Sequence, residues 1–287
     1  MHVKGALYGV CVGDAFGAPL EFLGRYPNSD DVSKAYEMKG GGVINTKPGQ
    51  ITDDGELMLC LYRSLVEKKQ PALFYYKKWL KSGPIDVGIT CNRAFKNGEM
   101  DFKSKANGAL MRCAPIGAVY HDKSPDCIAD IAMADCRLSH PNLSCQYANA
   151  VYCICIACLI EEPDKVPQGA FNWLEDQPES DAKMEVKSWL LEAWSPEKWY
   201  SNNPMNQIGF VRWGFVEAFR HIHLKSDFKT AMVATAHLGG DTDTNCAIVG
   251  GLVGARCGVE GIPYHMLEAV ISSKNERPTW LHPSYLD

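Results

Sequence analysis

The sequence has no uninterrupted apolar run of about 18 residues, the length a membrane-spanning helix needs. It also lacks any strand-length stretch of alternating β-branched residues, which argues against a sheet-based fold. There is no excess of positive charge: 29 Lys+Arg stand against 34 Asp+Glu, giving a net charge of -5. General nucleic-acid binding is therefore not expected, because the basic footprint it requires is missing. The opening residues, MHVKGALYGVCVGDAFG, are broken by Gly5, Gly9, Gly13 and Asp14, so a signal peptide's apolar centre is absent. There are no fixed-period repeats and no charge blocks. A soluble, unexported, cytoplasmic chain without membrane contact is the expectation.

What is present is ordinary globular composition, 46% hydrophobic and 22% charged over 287 residues, enough chain for a substantial core. The 12 cysteines need a separate account. A chain of this length without an export signal has no need of disulfide staples. The densest group, Cys153, Cys155 and Cys158 in VYCICIACLI, has only apolar neighbours and no second spaced pair or histidine to close a zinc site. Buried, reduced thiols on a helix follow, and with them a reducing compartment.

Helical periodicity runs through the chain. Gly5, Gly9, Gly13 and Gly17 recur every fourth residue within 3–18, placing a stripe of small residues on one helical face. Such a stripe is unfavourable for an isolated helix and permits close approach of a second one. Leu57, Leu61 and Leu65 share a face of a helix over 54–67 that starts behind paired aspartates. Pro71 opens a helix through Trp79, and Ser124-Pro125-Asp126 is a cap followed by a first-turn proline. Residues 142–160 are nearly all apolar, marking a central helix. Helices are further expected over 205–222, 227–238, 243–256 and 263–272. Residues 162–204 alone shift composition, with prolines, acids and Trp173, Trp189, Trp194 and Trp199. They read as a Trp/Pro-rich surface insertion or lid within one compact all-α domain spanning 1–287.

Two acidic clusters, far apart in the chain at 51–54 and 239–244, carry the chemistry. Ile51-Thr52-Asp53-Asp54 and Gly239-Gly240-Asp241-Thr242-Asp243-Thr244 each open a helix. Taken singly, each is accounted for by capping, since Thr and Asp satisfy first-turn amides and the helix dipole. Taken together, they are oxygen-only sets suited to hard cations such as Mg²⁺ or Mn²⁺. Spacing alone does not establish that they meet.

An ordered set of motifs supplies that step: GALYGVCVGDAFGAPLEF at 5–22, ITDDGELM at 51–58, SGPIDVG at 82–88, NGALMRCAPIGAVY at 107–120, SHPN at 139–142 and HLGGDTDTNCAIVGGLVGARCG at 237–258. With these the chain resembles the ADP-ribosylglycohydrolases almost end to end. The resemblance implies an orthogonal all-helical domain with two divalent cations, Mg²⁺ or Mn²⁺. It implies that Thr52, Asp53, Asp54 and Asp243 hold one ion and that Asp241, Asp243 and Thr244 hold the other, with Asp243 bridging. Glu21 matches a glutamate beside the metals and the distal ribose, placed to position or deprotonate water. Asn107 and Gly108 match a loop around the diphosphate, with Ser104 a further hydroxyl, and His140 matches a histidine near the adenine end. Asp86 stands where arginine-directed relatives carry an acid; capping of a helix from Val87 is its bland alternative. Arg112 reads as a structural charge, and His237 as a supporting residue.

One departure from the pattern is Gly55, where a threonine is usual; weaker metal binding is the expected consequence. The implied activity is removal of ADP-ribose from modified protein side chains by water attack at the distal ribose C1″. ADP-ribosylated proteins are then the partners and ADP-ribose the product. Arginine linkage is the first expectation, serine linkage the second, and a catalytically silent ADP-ribose-binding or structural relative a third. A dimetal phosphohydrolase on an unrelated helical scaffold is a further alternative, distinguished by release of free phosphate.

Overall fold

The computed structural model describes residues 1–195 and 204–286. Among these residues the chain is all-α. Its helices are α1 (His2–Gly17), α2 (Ser29–Tyr36), α3 (Asp53–Glu67), α4 (Ala72–Lys81), α5 (Ile89–Asn97), α6 (Ala114–Val119), α7 (Pro125–Cys136), α8 (Leu143–Glu161), α9 (Gln168–Glu175), α10 (Asp181–Ala193), α11 (Val211–His223), α12 (Phe228–His237), α13 (Thr242–Cys257) and α14 (Tyr264–Ile271). The only β-type pairings among the described residues are isolated bridges, Gly41 with Thr46 and Ala106 with Phe210.

The glycine stripe of α1 meets a second one on α13. A Cβ added at Gly9 would lie 2.1 Å from the carbonyl oxygen of Gly250, and one added at Gly250 would lie 2.2 Å from that of Gly9. Gly5 and Gly254 exclude each other's Cβ in the same way, at 2.2 Å in both directions. The helices run antiparallel, backbone against backbone, and neither could be built from alanine at these positions. Helix α8 crosses behind them, where the Tyr152 hydroxyl donates to the Ile248 carbonyl of α13 at 2.7 Å. This helix is long and apolar enough to cross a membrane, but most of it is buried inside the fold. Cys153 and Cys155 lie on it, both buried, with the Cys153 thiol donating to the Cys113 carbonyl at 3.3 Å.

Side-chain caps account for several helix starts. Ser124 Oγ accepts from the Cys127 amide at 3.3 Å to cap α7, and Asn142 Oδ1 accepts from the Ser144 amide at 3.0 Å to cap α8. The helix expected over 205–222 instead begins at Val211. Gly209 takes a φ of +79° there, and the Val211 amide donates to the Lys105 carbonyl at 2.9 Å, so the chain turns before it can coil. Within 162–204, α9 and α10 bury Trp173 and Trp189 against the domain, and Trp194 packs edge-on against Phe171 at 5.2 Å. Trp199 lies outside the described residues.

Gly9→Ala is expected to lower unfolding free energy by about 3 kcal/mol or more, the upper end of overpacking penalties, although alanine favours helix by about 1 kcal/mol. Urea denaturation measures this directly, and a loss below about 1 kcal/mol would contradict rigid backbone contact between the two helices.

Candidate active site

Because α1 and α13 are antiparallel, the C-terminal end of one lies beside the N-terminal end of the other. A Cβ added at Gly17 would lie 2.5 Å from the Cα of Asp243, so nothing larger than glycine fits between them. Helix α3 brings its own N-terminus to the same point. Its cap residue Thr52 makes no side-chain cap bond of its own. That duty falls to Asp14, one turn from the end of α1 and fully buried. Asp14 Oδ1 accepts from Thr52 Oγ1 at 2.8 Å, and Oδ2 accepts from the Thr52 and Gly55 amides at 2.9 and 2.8 Å. A carboxylate 38 residues upstream thus caps the helix that presents Asp53 and Asp54. Gly55 is part of this arrangement: a Cβ there would lie 2.9 Å from Asp14 Oδ2 and 3.0 Å from Ile51 Cβ.

The two acidic clusters converge. Carboxylate oxygens of Asp14, Asp54 and Asp243 lie within 4.8 Å of one another, as do those of Glu21, Asp241 and Asp243, so Asp243 belongs to both groups. Asp241 Oδ2 accepts from Asn107 Nδ2 at 2.7 Å, which ties the second group to the loop before α6. Asp53 Oδ2 accepts from the Gly88 amide at 3.4 Å. Two buried oxygens, Glu21 Oε2 and Asp54 Oδ1, have no hydrogen-bond partner.

These carboxylates are held far from their ordinary titration. Burial, then the Asp241 and Asp86 charges, push Glu21 up to about 9. Burial raises Asp14 to about 7 against the pull of the Gly55 and Thr52 bonds. Asp53, Asp54 and Asp243 are raised well above the ordinary range, first by burial and then by neighbouring acids. Asp86 is raised by burial too, with Asp241 adding to it and the Val87 amide opposing. Repulsion between unit charges near 4 Å is about 4 kcal/mol at an effective dielectric of 20. Oxygen-only donors, mutual repulsion and two orphaned buried oxygens fit divalent cations at this place.

A cavity of about 450 Å³ opens over the cluster, lined by Glu21, Asp53, Asp86, Asn107, Gly108, His140, Asp241, Asp243 and Thr244 among others. Nine of the twelve residues expected from sequence therefore share one wall or another. Thr52 and Asp54 lie behind that surface; Thr52 Oγ1 also lies 3.2 Å from Asp54 Oδ2. Ser104 is the exception. It is not on the cavity wall, and its hydroxyl instead pairs with Thr90 Oγ1, a lining residue, at 3.2 Å. Asp86 does not cap a helix from Val87: α5 begins at Ile89 behind Gly88, and Asp86 Oδ1 accepts from the Val87 amide at 2.7 Å. His237 pairs with the Pro27 carbonyl at 3.2 Å, outside the cavity, and Arg112 is fully buried against Asp135 at 3.0 Å. None of the described residues of 162–204 lines the cavity.

Sequence reasoning missed Asp14, Phe22, Thr90, Ile208 and Gly209. Asp14 did leave a signal, being the one acid in a glycine-striped helix that is apolar from Ala6 on. Gly209 left none: its carbonyl accepts from the Asn107 amide at 2.9 Å across a chain separation that no spacing rule encodes.

Comparison with known proteins gives a consistent outcome. A family model described as ADP-ribosylglycohydrolase matches residues 2–282. The chain is 30% identical over 272 residues to the ADP-ribosyl-[dinitrogen reductase] glycohydrolase of Rhodospirillum rubrum, covering 90% of this chain and 86% of that one. It is 26% identical over 294 residues to the ADP-ribosylarginine hydrolase Tri1 of Serratia proteamaculans, covering 94% and 75%. A solved structure described as an ADP-ribosylglycohydrolase-related protein complex superposes with a TM-score of 0.75 at 26% identity, covering 99% of this chain and 95% of that one.

Raised carboxyl values have a defined consequence for metal-free protein. Where the folded state binds more protons than the unfolded one, stability falls as pH rises. For Asp14 and Glu21 that window runs from the ordinary carboxyl range near 4 up to about 7 and about 9. In chelator, Tm should therefore fall between pH 5 and pH 9, and added Mg²⁺ or Mn²⁺ should raise Tm most at the alkaline end. A Tm that is flat or rising with pH in chelator would contradict this charge arrangement.

Proposed function

The chain belongs to the ADP-ribosylglycohydrolase family, and from that membership we propose that it hydrolyses the bond between ADP-ribose and arginine side chains of modified proteins. The observation that supports this most is the meeting of the TDD and DTDT segments, at 52–54 and 241–244, under one cavity. Thr52, Asp53, Asp54, Asp241, Asp243 and Thr244 would hold two divalent cations, Mg²⁺ or Mn²⁺, with Asp243 shared. Bound there, the cations supply Lewis-acid polarisation of ribose hydroxyls and water.

The remaining work falls to side chains. Glu21 borders the cavity with one carboxylate oxygen free of any protein partner. Its carboxyl, left ionised once bound cations offset the neighbouring acids, is placed to take a proton from the water whose oxygen attacks C1″ and to pass it to the guanidine nitrogen as the C1″–N bond breaks. Positive charge that builds on the ribose is oxocarbenium-like and is stabilised by the surrounding carboxylates. Asn107 holds Asp241 in place through its side-chain amide. Asp86 lines the same cavity and is half-buried, in position to pair with a departing guanidinium. A serine leaving group presents no such cation, which favours the arginine reading over the serine one. The chain's location in the cell is proposed to be the cytoplasm, on the strength of the thiol-rich interior alone.

Mass-spectrometric product analysis on arginine-, serine- and cysteine-linked ADP-ribosyl substrates tests the reading. Release of intact ADP-ribose from the arginine substrate is expected, and cleavage confined to the serine substrate would replace the arginine assignment. Free phosphate as the product would indicate a phosphohydrolase instead.

Three substitutions divide the roles. Glu21→Gln should lower kcat by about a hundredfold or more while ADP-ribose affinity stays within about threefold, because shape is retained and the base is lost. Asp243→Asn should abolish turnover yet raise the Tm of chelated protein, since it removes a repelling charge from both groups; lowered Tm together with lost activity would indicate misfolding instead. Asp86→Ala should reduce kcat/KM on arginine-linked substrate by about ten- to a hundredfold, the equivalent of a hydrogen bond to a charged group. An unchanged arginine-to-serine preference in that variant would remove Asp86 from substrate selection.

A further inference from the structure

Behind the part of the cavity wall formed by Gly108 and His140 lies a buried polar chain that the reaction as described does not use. Arg112 is wholly buried. Its Nε donates to Asp135 Oδ2 and its Nη2 to the Asp135 carbonyl, both at 3.0 Å. The Tyr76 hydroxyl satisfies the other Asp135 oxygen at 2.7 Å, and the guanidinium stacks on the Tyr76 ring at 4.7 Å. Nη1 donates to the Gly108 carbonyl at 2.8 Å and to Ser139 Oγ at 2.9 Å, with the Cys91 sulfur a more distant third neighbour at 3.9 Å. Ser139 Oγ then lies 2.8 Å from His140 Nδ1. His140 is itself fully buried, and its Nε2 has no hydrogen-bond partner. The residue lines the substrate cavity, beside Gly108.

The donor and acceptor accounting of this chain has one favoured solution. An arginine nitrogen only donates, so Ser139 Oγ accepts from Arg112. The single hydroxyl proton of Ser139 is then available to His140 Nδ1; its other neighbour, the Cys91 sulfur, is a weak acceptor. Nδ1 consequently accepts, and in a neutral ring the remaining proton sits on Nε2, the atom without a partner. We infer that Arg112 and Ser139 are positioning residues that lock His140 in its Nε2–H form, giving the cavity a fixed neutral donor for an acceptor atom of bound ADP-ribose. Burial, reinforced by the nearby Arg112 charge, pushes His140 down to about 3, so the ring stays neutral at working pH. Gly108 keeps that donor accessible: a Cβ there would come within 3.3 Å of Nε2 and 3.1 Å of Cε1.

The ligand in this inference rests on the hydrolase reading above, whereas the tautomer does not. ¹⁵N-histidine labelling of the ligand-free protein reports which ring nitrogen carries the proton, with His140 assigned by sequential correlation. The expected result is a neutral Nε2–H ring from pH 6 to pH 8. An Nδ1–H ring, or an imidazolium, in the wild type would overturn the inference without recourse to any variant. Ser139→Ala should shift His140 toward a tautomer mixture and weaken ADP-ribose binding by about five- to twentyfold, and Ser139→Thr, which keeps the hydroxyl, should restore both. Unchanged tautomer and affinity in folded Ser139→Ala would also overturn it. Failure of the wild type to bind ADP-ribose would instead count against the hydrolase reading, with the tautomer still read in the free protein.

Discussion

Contact between the backbones of α1 and α13 is the constraint on which the site depends. Side chains normally hold helix axes about 8–10 Å apart, but here the glycines remove them, and carbonyls of one helix occupy the space a Cβ would take on the other. Close approach fixes register as well as distance, because a shift along either helix would bring a larger residue against a carbonyl. Register in turn decides which residues share the far end of the pair. Gly17 against Asp243 is the last step of the same stripe, and it sets Asp14 and Glu21 beside the first turn of α13. The glycines are unfavourable to each helix alone, so helix stability and site geometry are drawn from one set of tertiary contacts.

That geometry concentrates acids where a protein interior tolerates them least. The N-termini of α3 and α13 point positive helix ends toward the cluster, which offsets some of the repulsion. The offset is incomplete, because burial and mutual charge still raise Glu21, Asp53, Asp54 and Asp243 together. Asp14 occupies a different position within the same cluster. Its oxygens are committed to the Thr52 and Gly55 amides and the Thr52 hydroxyl, whereas Glu21 and Asp54 each keep one oxygen unengaged. The fold thus separates a carboxylate that organises the turn from those left available to a cation.

Much of this was legible before the structure. Four-residue glycine spacing foretold a close helix neighbour, and Asp53, Asp54, Asp241, Asp243 and Thr244 were identifiable as oxygen donors opening helices. Their convergence was not legible from spacing; only the ordered motifs implied it, since joining residues so far apart in sequence depends on the path of the helices between them. Asp14 was hidden because its role is a cap for a helix it does not belong to, and capping rules look only a few residues along the chain. The spatial setting of Gly55 was hidden for a related reason. Read locally, it is a weak helix residue and a missing hydroxyl; in space, it is where the Asp14 carboxylate closes on a bare amide. Ser104 erred the other way, a plausible hydroxyl in the right segment that serves Thr90 and not the cavity.

Charge is distributed unevenly around the cavity, and the distribution suits an anionic nucleotide joined to a cationic side chain. The carboxylates and Asp86 form one side, where a guanidinium is welcome and a diphosphate is not unless cations intervene. Arg112, behind Gly108 and His140, does not reach the cavity; it is spent on Asp135 and on the Gly108 and Ser139 oxygens. A cation placed directly on the cavity wall would attract the carboxylates and compete with metal for them. Keeping Arg112 one residue back avoids that competition. Its influence reaches the cavity as hydrogen-bond direction through Ser139 and the neutral ring of His140, so the wall can offer a donor without offering a counter-ion.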